Sequence, residues 1–212
     1  MKSELDESRL TQDELWEWCL KEYQNRNPGV QFLLRRYFAV IREIVSRLGP
    51  DAKLLEVGCG AGESSRRIMA MLSRGQMFEV SEVDARYVNK LKETNFPIPV
   101  RQESALELKR NNREFDCVFL LEVLEHVDHY ERSLEELFRV SRKYVVISVP
   151  NEPLWRILNF IRGKYLKHAG NTPGHVNHWA VGELRTLVSK YGDVLKVYTP
   201  IPWIILLANV KP

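Results

Sequence analysis

The chain has 212 residues, of which 44% are hydrophobic and 28% are charged, values typical of one globular domain with a sizeable core. Its 31 basic and 28 acidic residues leave a net charge of +3, which is too small to argue for a nucleic-acid-binding protein. The three cysteines are scattered in no metal-binding or redox spacing, which favours a reducing compartment. We find no signal peptide and no membrane span in the sequence, and we expect a cytoplasmic protein.

Two helices are predicted before the first strand. The first is expected to end at Pro28-Gly29, and the second runs from about Val30 to Leu48 with apolar residues at helical spacing. No linker separates these helices from the rest of the chain. We therefore predict that residues 1–49 form a helical cap or lid on a domain of residues 50–212.

Strands and helices alternate from Lys53 onward. The predicted strands are Lys53–Val57, Met77–Val83, Val100–Glu103, Phe115–Leu121, Tyr144–Val149, Val194–Tyr198 and Ile204–Val210, and the predicted helices between them are Glu63–Leu72, Ala85–Glu93, Leu134–Val140 and Gly182–Tyr191. Alternation of this kind favours an α/β fold around a mostly parallel sheet. Because only Thr199 to Trp203 join the last two strands, the last strand is expected to run antiparallel to its neighbours.

A glycine-rich turn follows the first predicted strand. Leu54 to Gly62 read Leu-Leu-Glu-Val-Gly-Cys-Gly-Ala-Gly, so Gly58, Gly60 and Gly62 stand at alternate positions. Glycine lets the backbone turn sharply and lets a ligand approach it closely, and a helix begins directly afterwards. A strand, a glycine turn and a helix N-terminus together predict a nucleotide-binding site. The glycine spacing differs from that of dinucleotide-binding proteins, and Glu56 would repel a pyrophosphate.

Two carboxylates and a histidine follow the fourth predicted strand. Glu122, Glu125 and His126 form Glu-x-x-Glu-His at the carboxyl end of that strand, where ligands of open α/β sheets bind. Such a mixed set of oxygen and nitrogen donors suits Mg²⁺, Mn²⁺ or Zn²⁺.

The segment of residues 151–180 interrupts the alternation. It is a long, Gly/Pro/His-rich stretch, and long loops inside compact domains are often functional, so we interpret it as a substrate-side insertion. It contains His175, His178 and a basic run of Arg156, Arg162, Lys164 and Lys167. A charge run of this kind is usually a solvated face, and the functional alternative is an anionic or phosphate-bearing substrate.

Taken in order, these motifs resemble those of the class I S-adenosylmethionine-dependent methyltransferases, over roughly residues 50–212. The resemblance implies a Rossmann-like, seven-stranded, mostly parallel sheet with an antiparallel last strand, flanked by helices, and S-adenosyl-L-methionine as cofactor. The cofactor-binding residues that it implies are Glu56, Gly58, Cys59, Gly60, Gly62, Asp84, Ser104, Ala105 and Leu121. Asp84 would accept hydrogen bonds from the ribose hydroxyls, with Glu82 as the alternative, since Asp84 also has the position of a helix N-cap.

The Glu-x-x-Glu-His motif resembles that of two metal-assisted groups, the small-RNA 2′-O-methyltransferases and the O-methyltransferases of ubiquinone biosynthesis. The resemblance implies a divalent cation, Mg²⁺ or another, held by Glu122, Glu125, His126 and His175, with His178 as a substitute for His175. The alternative is a site without metal, in which the histidine points at the substrate. In either case His126 and His175 are the candidate catalytic residues, as general bases or as ligands.

The function that the resemblance implies is transfer of a methyl group to an oxygen, or alternatively a nitrogen, of a small-molecule acceptor, and we predict a hydroxyl. The alternatives are an RNA or other phosphate-bearing acceptor, so nucleic acid is not excluded as a partner, and a catalytically silent cofactor-binding protein. A nicotinamide dehydrogenase is disfavoured by the glycine spacing and by Glu56. The oligomeric state and the acceptor do not follow from the sequence.

Overall fold

A computed structural model describes residues 10–152, 154–161 and 175–211 of the chain. Its helices are α1 (Gln12–Tyr23), α2 (Pro28–Val45), α3 (Glu63–Met69), α4 (Ala85–Glu93), α5 (Tyr130–Val140), α6 (Leu154–Ile161) and α7 (Val181–Val188). Its strands are β1 (Lys53–Val57), β2 (Met77–Glu82), β3 (Val100–Gln102), β4 (Phe115–Leu121), β5 (Ser141–Pro150), β6 (Gly192–Tyr198) and β7 (Trp203–Val210). A 3₁₀ turn, Leu124–His126, follows β4.

The seven strands form one sheet in the order β3-β2-β1-β4-β5-β7-β6. The first five strands are parallel, and β7 runs antiparallel to both β5 and β6. The prediction of a mostly parallel α/β sheet with an antiparallel last strand is therefore confirmed, and β6 lies at the edge of the sheet. The strand order reverses between β1 and β4, so the carboxyl ends of these two strands open a crevice of the kind in which α/β proteins bind ligands.

The sheet is buried on both faces, which explains why its central strands are apolar without alternation. One face packs against α2, α3 and α4 through a cluster that includes Leu54, Phe119 and Ile205. The other packs against α5 and α7 through a cluster that includes Leu55, Leu120 and Leu206. Two apolar clusters thus hold the carboxyl ends of β1, β4 and β5 in fixed relative positions.

Helix α2 begins two residues before its predicted start. Pro28 is the first residue of the helix, where its missing N–H costs nothing, and the side chain of Asn27 caps the helix by accepting a hydrogen bond from the Gly29 N–H at 2.8 Å. Pro28-Gly29, predicted to end the first helix, in fact opens the second. The buried side of α2 belongs to the same core cluster as the sheet, with members Leu34, Tyr37, Phe38, Ile41, Ile44 and Val45. The division of the chain at residues 49 and 50 stays a prediction.

Within the described parts of the chain, no helix is both long enough and apolar enough to cross a membrane. Helix α5 begins at Tyr130, four residues before the predicted Leu134, because its first turn is polar and shows no apolar periodicity. Helix α6 lies near the start of the insertion.

Candidate active site

The candidate site lies where the carboxyl ends of β1, β4 and β5 meet. Val57 is in register with Leu120, and Leu121 is in register with Ser148. This register brings the glycine turn after β1 beside the residues that follow β4. Val123 packs so closely on the turn that a Cβ at Gly58 would lie 2.6 Å from its Cγ2.

The glycine turn adopts a backbone that favours glycine. Gly58, Gly60 and Gly62 have φ angles of 77°, 51° and 77°, in the left-handed region that costs other residues energy. The backbone N–H groups of Gly58 and Cys59 donate to the carbonyl of Ser81 at 2.8 and 3.0 Å, which ties the turn to β2. A Cβ at Gly60 would meet only the Cys19 sulfur, at 3.5 Å, so the turn leaves room on this side.

Glu56 lies beneath the turn and is fully buried. The Ser65 hydroxyl, in the first turn of α3, donates to its Oε2 at 2.5 Å. Burial raises the pKa of Glu56 to about 7, against hydrogen bonds from Ser64 and Ser65 that lower it and a smaller contribution from Glu82 that raises it. A cationic group placed over the turn would stabilise the ionised form.

Two acids lie at the end of β2, and their carboxylates have different partners. Glu82 is buried and accepts hydrogen bonds from the backbone N–H of Gly60 at 2.8 Å, of Val83 at 2.8 Å and of Asp84 at 3.0 Å. Asp84 caps α4 by accepting from the Arg86 N–H at 2.8 Å, and it is paired with the Arg86 guanidinium, whose Nη2 lies 2.6 Å from its Oδ2. The Arg86 side chain lowers the pKa of Asp84, whereas burial raises the pKa of Glu82. Glu82 is thus the acid in contact with the glycine turn.

The remaining predicted cofactor residues lie around the same crevice. Leu121 is buried at the end of β4. Ser104 follows β3, pairs with Glu107 in an isolated bridge, and accepts from the Leu106 N–H at 3.2 Å. Ala105 packs on the core cluster of the α5 side. Their roles toward a cofactor, like those of Cys59 and Gly62, stay predictions.

Helix α1 lies over the glycine turn. It is attached to α4 by the Arg86 guanidinium, which donates to the Leu10 carbonyl at 2.7 Å, and by Lys90, whose Nζ lies 2.5 Å from Asp13 Oδ1. The Cys19 sulfur then lies above Gly60. At the end of α1, burial raises the pKa of Tyr23, as do Cys19 and the carboxylates of Glu56 and Glu122. The end of α1 therefore faces the strand ends.

Three of the four predicted metal ligands come together. Glu125, His126 and His175 each offer one ligand atom, and these atoms lie within 4.8 Å of one another. The imidazole rings of His126 and His175 have centroids 4.9 Å apart. Glu125 is almost fully buried and its Oε2 accepts no hydrogen bond from the described residues, an arrangement that a cation or a proton would stabilise.

Burial shifts the pKa values of this group towards the uncharged forms. Burial, together with the neighbouring His126 and His178, lowers the pKa of His175 to about 3, so its imidazole is neutral at pH 7. Burial, followed by the charge of Glu122, holds the pKa of Glu125 well above its usual range. A neutral imidazole is a ligand or a base, and a bound cation would favour the ionised Glu125.

The loop that carries His175 is fastened to the 3₁₀ turn by its backbone. The N–H groups of Val176 and Asn177 donate to the Glu125 carbonyl at 2.9 and 3.1 Å. The Asn177 amide donates to the carbonyls of Leu124 and Val127 at 3.3 and 2.8 Å. The folding of this loop over the strand ends, on which the predicted convergence depends, is therefore present. His178 is exposed and lies outside the three-residue group.

Glu122, the fourth predicted ligand, is bonded elsewhere. Its carboxylate Oε1 accepts a hydrogen bond from the Ser148 hydroxyl at 2.7 Å, and it is not in the group formed by Glu125 and the two histidines. Its φ of 57° is in the left-handed region, which costs a non-glycine residue about 1–2 kcal/mol. Burial raises the pKa of Glu122 to about 8, against hydrogen bonds from Ser148 and Trp203 that lower it.

Sequence reasoning missed several residues beside Glu122. The Tyr37 hydroxyl lies 2.6 Å from the Ser148 oxygen, and the Tyr37 ring packs edge-on against Trp203, with centroids 5.0 Å apart. Trp155 of α6 lies between Trp203 and His175, at centroid distances of 6.2 and 6.4 Å. These residues come from α2, β5, α6 and β7, and no sequence motif links them. Of the predicted basic run, Arg156 lies on α6, whereas Arg162, Lys164 and Lys167 lie outside the described residues.

The amino-acid sequence matches known methyltransferases. A family model described as a methyltransferase domain matches residues 31–195. The ubiquinone biosynthesis O-methyltransferase of Rickettsia canadensis (strain McKiel) is 33% identical over 106 residues, which are 46% of this chain and 42% of that protein. The match thus spans less than half of the length of that curated relative.

Solved structures show the same fold at low sequence identity. A SAM-dependent methyltransferase from Aquifex aeolicus superposes with a TM-score of 0.62 at 18% identity, covering 80% of this chain and 88% of that one. The magnesium protoporphyrin IX methyltransferase of Synechocystis PCC 6803, with bound SAH, gives 0.66 at 14% identity and covers 94% and 98% of the two chains. The family match, with this fold and these motifs, shows that the chain belongs to the class I S-adenosylmethionine-dependent methyltransferases.

Proposed function

We propose that the protein transfers a methyl group from S-adenosylmethionine to a hydroxyl of a small-molecule acceptor, assisted by a divalent cation or by a neutral histidine. The observation that carries the proposal is the convergence of Glu125, His126 and His175, close in the chain to Val123, which packs against the glycine turn. The methyl sulfonium is already reactive, so the protein has mainly to align the two reactants and exclude water. The name of the Rickettsia relative supports an oxygen acceptor.

The cofactor is proposed to lie over Gly58 and Gly60, where the positive φ angles and the open space above Gly60 allow close approach. Glu56 provides negative charge below the methionine ammonium. We assign the ribose hydroxyls to Glu82 rather than to Asp84. Glu82 is held against the turn by three backbone hydrogen bonds, whereas Arg86 already engages both oxygens of Asp84.

Calorimetry with S-adenosylhomocysteine tests this assignment. Glu82→Gln is expected to lower the affinity at least tenfold, because charge-assisted hydrogen bonds are worth about 1.5–3 kcal/mol each. Asp84→Asn is the matched control, since asparagine also caps helices well, and it is expected to change the affinity less than threefold. The reverse order would return the role to Asp84.

The acceptor hydroxyl is proposed to lie at the three-residue group. His175 is neutral at pH 7 and can therefore act as a ligand, and His126, whose ring lies beside it, is the candidate general base. A divalent cation held by Glu125, His126 and His175 would lower the pKa of the acceptor hydroxyl. Two imidazoles and one carboxylate are donors that suit Zn²⁺ or Mn²⁺ and leave open coordination positions for an acceptor oxygen.

Titration of chelator-treated protein with Mn²⁺ tests the cation directly. Wild type is expected to bind one ion with a gain in melting temperature, because a ligand that binds only the folded state stabilises it. Glu125→Gln and His175→Ala are expected to lose both effects. His129→Ala, a histidine outside the group at the start of α5, is the control and is expected to behave as wild type. If wild type binds no ion while methylation persists, the neutral histidine remains as the base and the cation is excluded.

A further inference from the structure

Glu122 is the residue of the site whose position the metal hypothesis does not explain. It directly follows β4 in the centre of the sheet, and it is only partly buried. Val123, next in the chain, packs against the glycine turn, and Glu125, three positions further on, belongs to the group with His126 and His175. Along the chain, Glu122 is thus adjacent both to a residue on the turn and to the three-residue group.

Two successive hydrogen bonds connect the carboxylate of Glu122 to Ser148 of β5 and then to Tyr37 of α2. The Ser148 hydroxyl donates to Glu122 Oε1 at 2.7 Å, and Tyr37 is bonded to the same hydroxyl at 2.6 Å. The backbone N–H of Glu122 also donates to the Ser148 carbonyl at 3.1 Å. Tyr37 and Ser148 are both buried, where polar groups cost free energy unless they are bonded, so each hydroxyl gains a partner from this arrangement.

The backbone of Glu122 supports a functional role. A left-handed φ persists at a non-glycine residue only where the surroundings enforce it, and such residues cluster at functional sites. A carboxylate has about four lone-pair positions, of which Ser148 and Trp203 occupy two. Capacity remains for a donor that arrives with the acceptor.

We propose that Glu122 is a recognition residue for the acceptor, and that Ser148 and Tyr37 are positioning residues that hold it. Its carboxyl group, which keeps acceptor positions in either protonation state, accepts a hydrogen bond from a donor group on the acceptor that lies next to the hydroxyl to be methylated. This inference rests on the proposed function. The preferred acceptors are then molecules that carry two neighbouring hydrogen-bond donors rather than a single hydroxyl.

The test uses two probes that differ by one donor, 3,4-dihydroxybenzaldehyde and 3-hydroxybenzaldehyde. Methyl transfer from S-adenosylmethionine is measured by mass spectrometry at one fixed Mn²⁺ concentration, so that a chelating contribution is common to all variants. Wild type is expected to prefer the dihydroxy probe at least tenfold in kcat/KM. Glu122→Gly is expected to reduce this preference at least fivefold, and Glu122→Gln, which keeps an acceptor oxygen, to restore part of it.

The positioning residues should act on KM and not on kcat. Ser148→Ala and Tyr37→Phe are expected to raise KM for the dihydroxy probe three- to tenfold while kcat and the KM of the monohydroxy probe stay within twofold of wild type. Ser133→Ala, which truncates another fully buried serine, and Tyr198→Phe, which removes a tyrosine hydroxyl bonded to Glu43, are the matched controls and should leave the preference unchanged.

The outcomes separate the two claims. A wild-type protein without preference, or a preference that survives Glu122→Gly, overturns the role of Glu122 and leaves the methyltransferase proposal standing. A wild-type protein that methylates neither probe and also binds neither in its complex with S-adenosylhomocysteine overturns the inference together with the proposed acceptor class.

Discussion

The two sides of the site differ in how the chain assembles them. The cofactor side is built from one strand-turn-helix unit and the end of the next strand, so Glu56, Gly60 and Glu82 lie within 27 positions of the printed sequence. The acceptor side takes Tyr37 from α2, Ser148 from β5 and His175 from the loop before α7. The proposed cofactor side therefore depends on local backbone conformation, whereas the proposed acceptor side depends on the packing of distant elements against one another.

The largest expected effect, on stability and on cofactor affinity, comes from substituting Gly58 in the glycine turn of the proposed cofactor side. Gly58→Ala places a Cβ 2.6 Å from Val123 at a φ of 77°, which combines a left-handed alanine with overpacking and is expected to cost about 3 kcal/mol of stability. S-adenosylhomocysteine affinity is expected to fall at least tenfold. Thermal unfolding and calorimetry measure the two effects.

Gly182→Ala is the control for this substitution. Gly182 lies in α7, and nothing lies within 4 Å of its Cβ position, so alanine is expected to keep or raise the stability by up to about 1 kcal/mol. Equal losses at Gly58 and Gly182 would contradict the account of the turn.

The same difference between local and distant contacts explains why the sequence predicted the glycine turn better than the residues around Glu122. The glycine spacing, the apolar strands and the short β6–β7 connection are local signals, and they correctly predicted the seven-stranded sheet and the antiparallel β7. Glu125, His126 and His175 were predicted from a motif and a distant loop, and the structure brings them together. Tyr37 and Ser148 resembled ordinary core residues, because the contact between them joins residues 111 positions apart in the sequence. Asp84 and Glu82 share one strand end, and only side-chain contacts distinguish the capping acid from the one on the turn.

The next prediction concerns the pH dependence of stability and again tests a residue of the proposed cofactor side, Glu56. Folding raises the pKa of Glu56 from 4.5 to about 7, so between these values the folded protein keeps a proton that the unfolded chain releases. The associated stability is fully present below pH 4.5 and is lost as the pH rises through 7. At about 1.4 kcal/mol per pH unit, this amounts to about 3 kcal/mol.

The measurement is the difference between wild type and Glu56→Gln in urea unfolding from pH 4.5 to 8, without cofactor. The amide keeps the shape and does not titrate, so wild type should lose stability relative to the variant as the pH rises. Saturating S-adenosylmethionine should reduce the difference, because its ammonium favours the ionised carboxylate. Parallel curves without cofactor would mean that Glu56 titrates alike in both states.

The smallest effect is expected on the acceptor side, at Glu122. Its φ of 57° suits glycine and strains alanine, so Glu122→Gly is expected to be about 1 kcal/mol more stable than Glu122→Ala, a difference of about 2–4 °C in melting temperature. Ala70 provides the opposite case. It is exposed and has a φ of −68°, so Ala70→Gly should lower the stability.

A residue that strains the backbone and is replaced by glycine at little cost in stability is held there for a reason other than folding. If Glu122→Ala proved the more stable variant, the strain argument for a functional Glu122 would fail, and the residue would be a structural partner of Ser148. The glycine variant therefore separates the two sides of the site, since it should leave S-adenosylhomocysteine affinity unchanged while it removes the preference for a second donor on the acceptor.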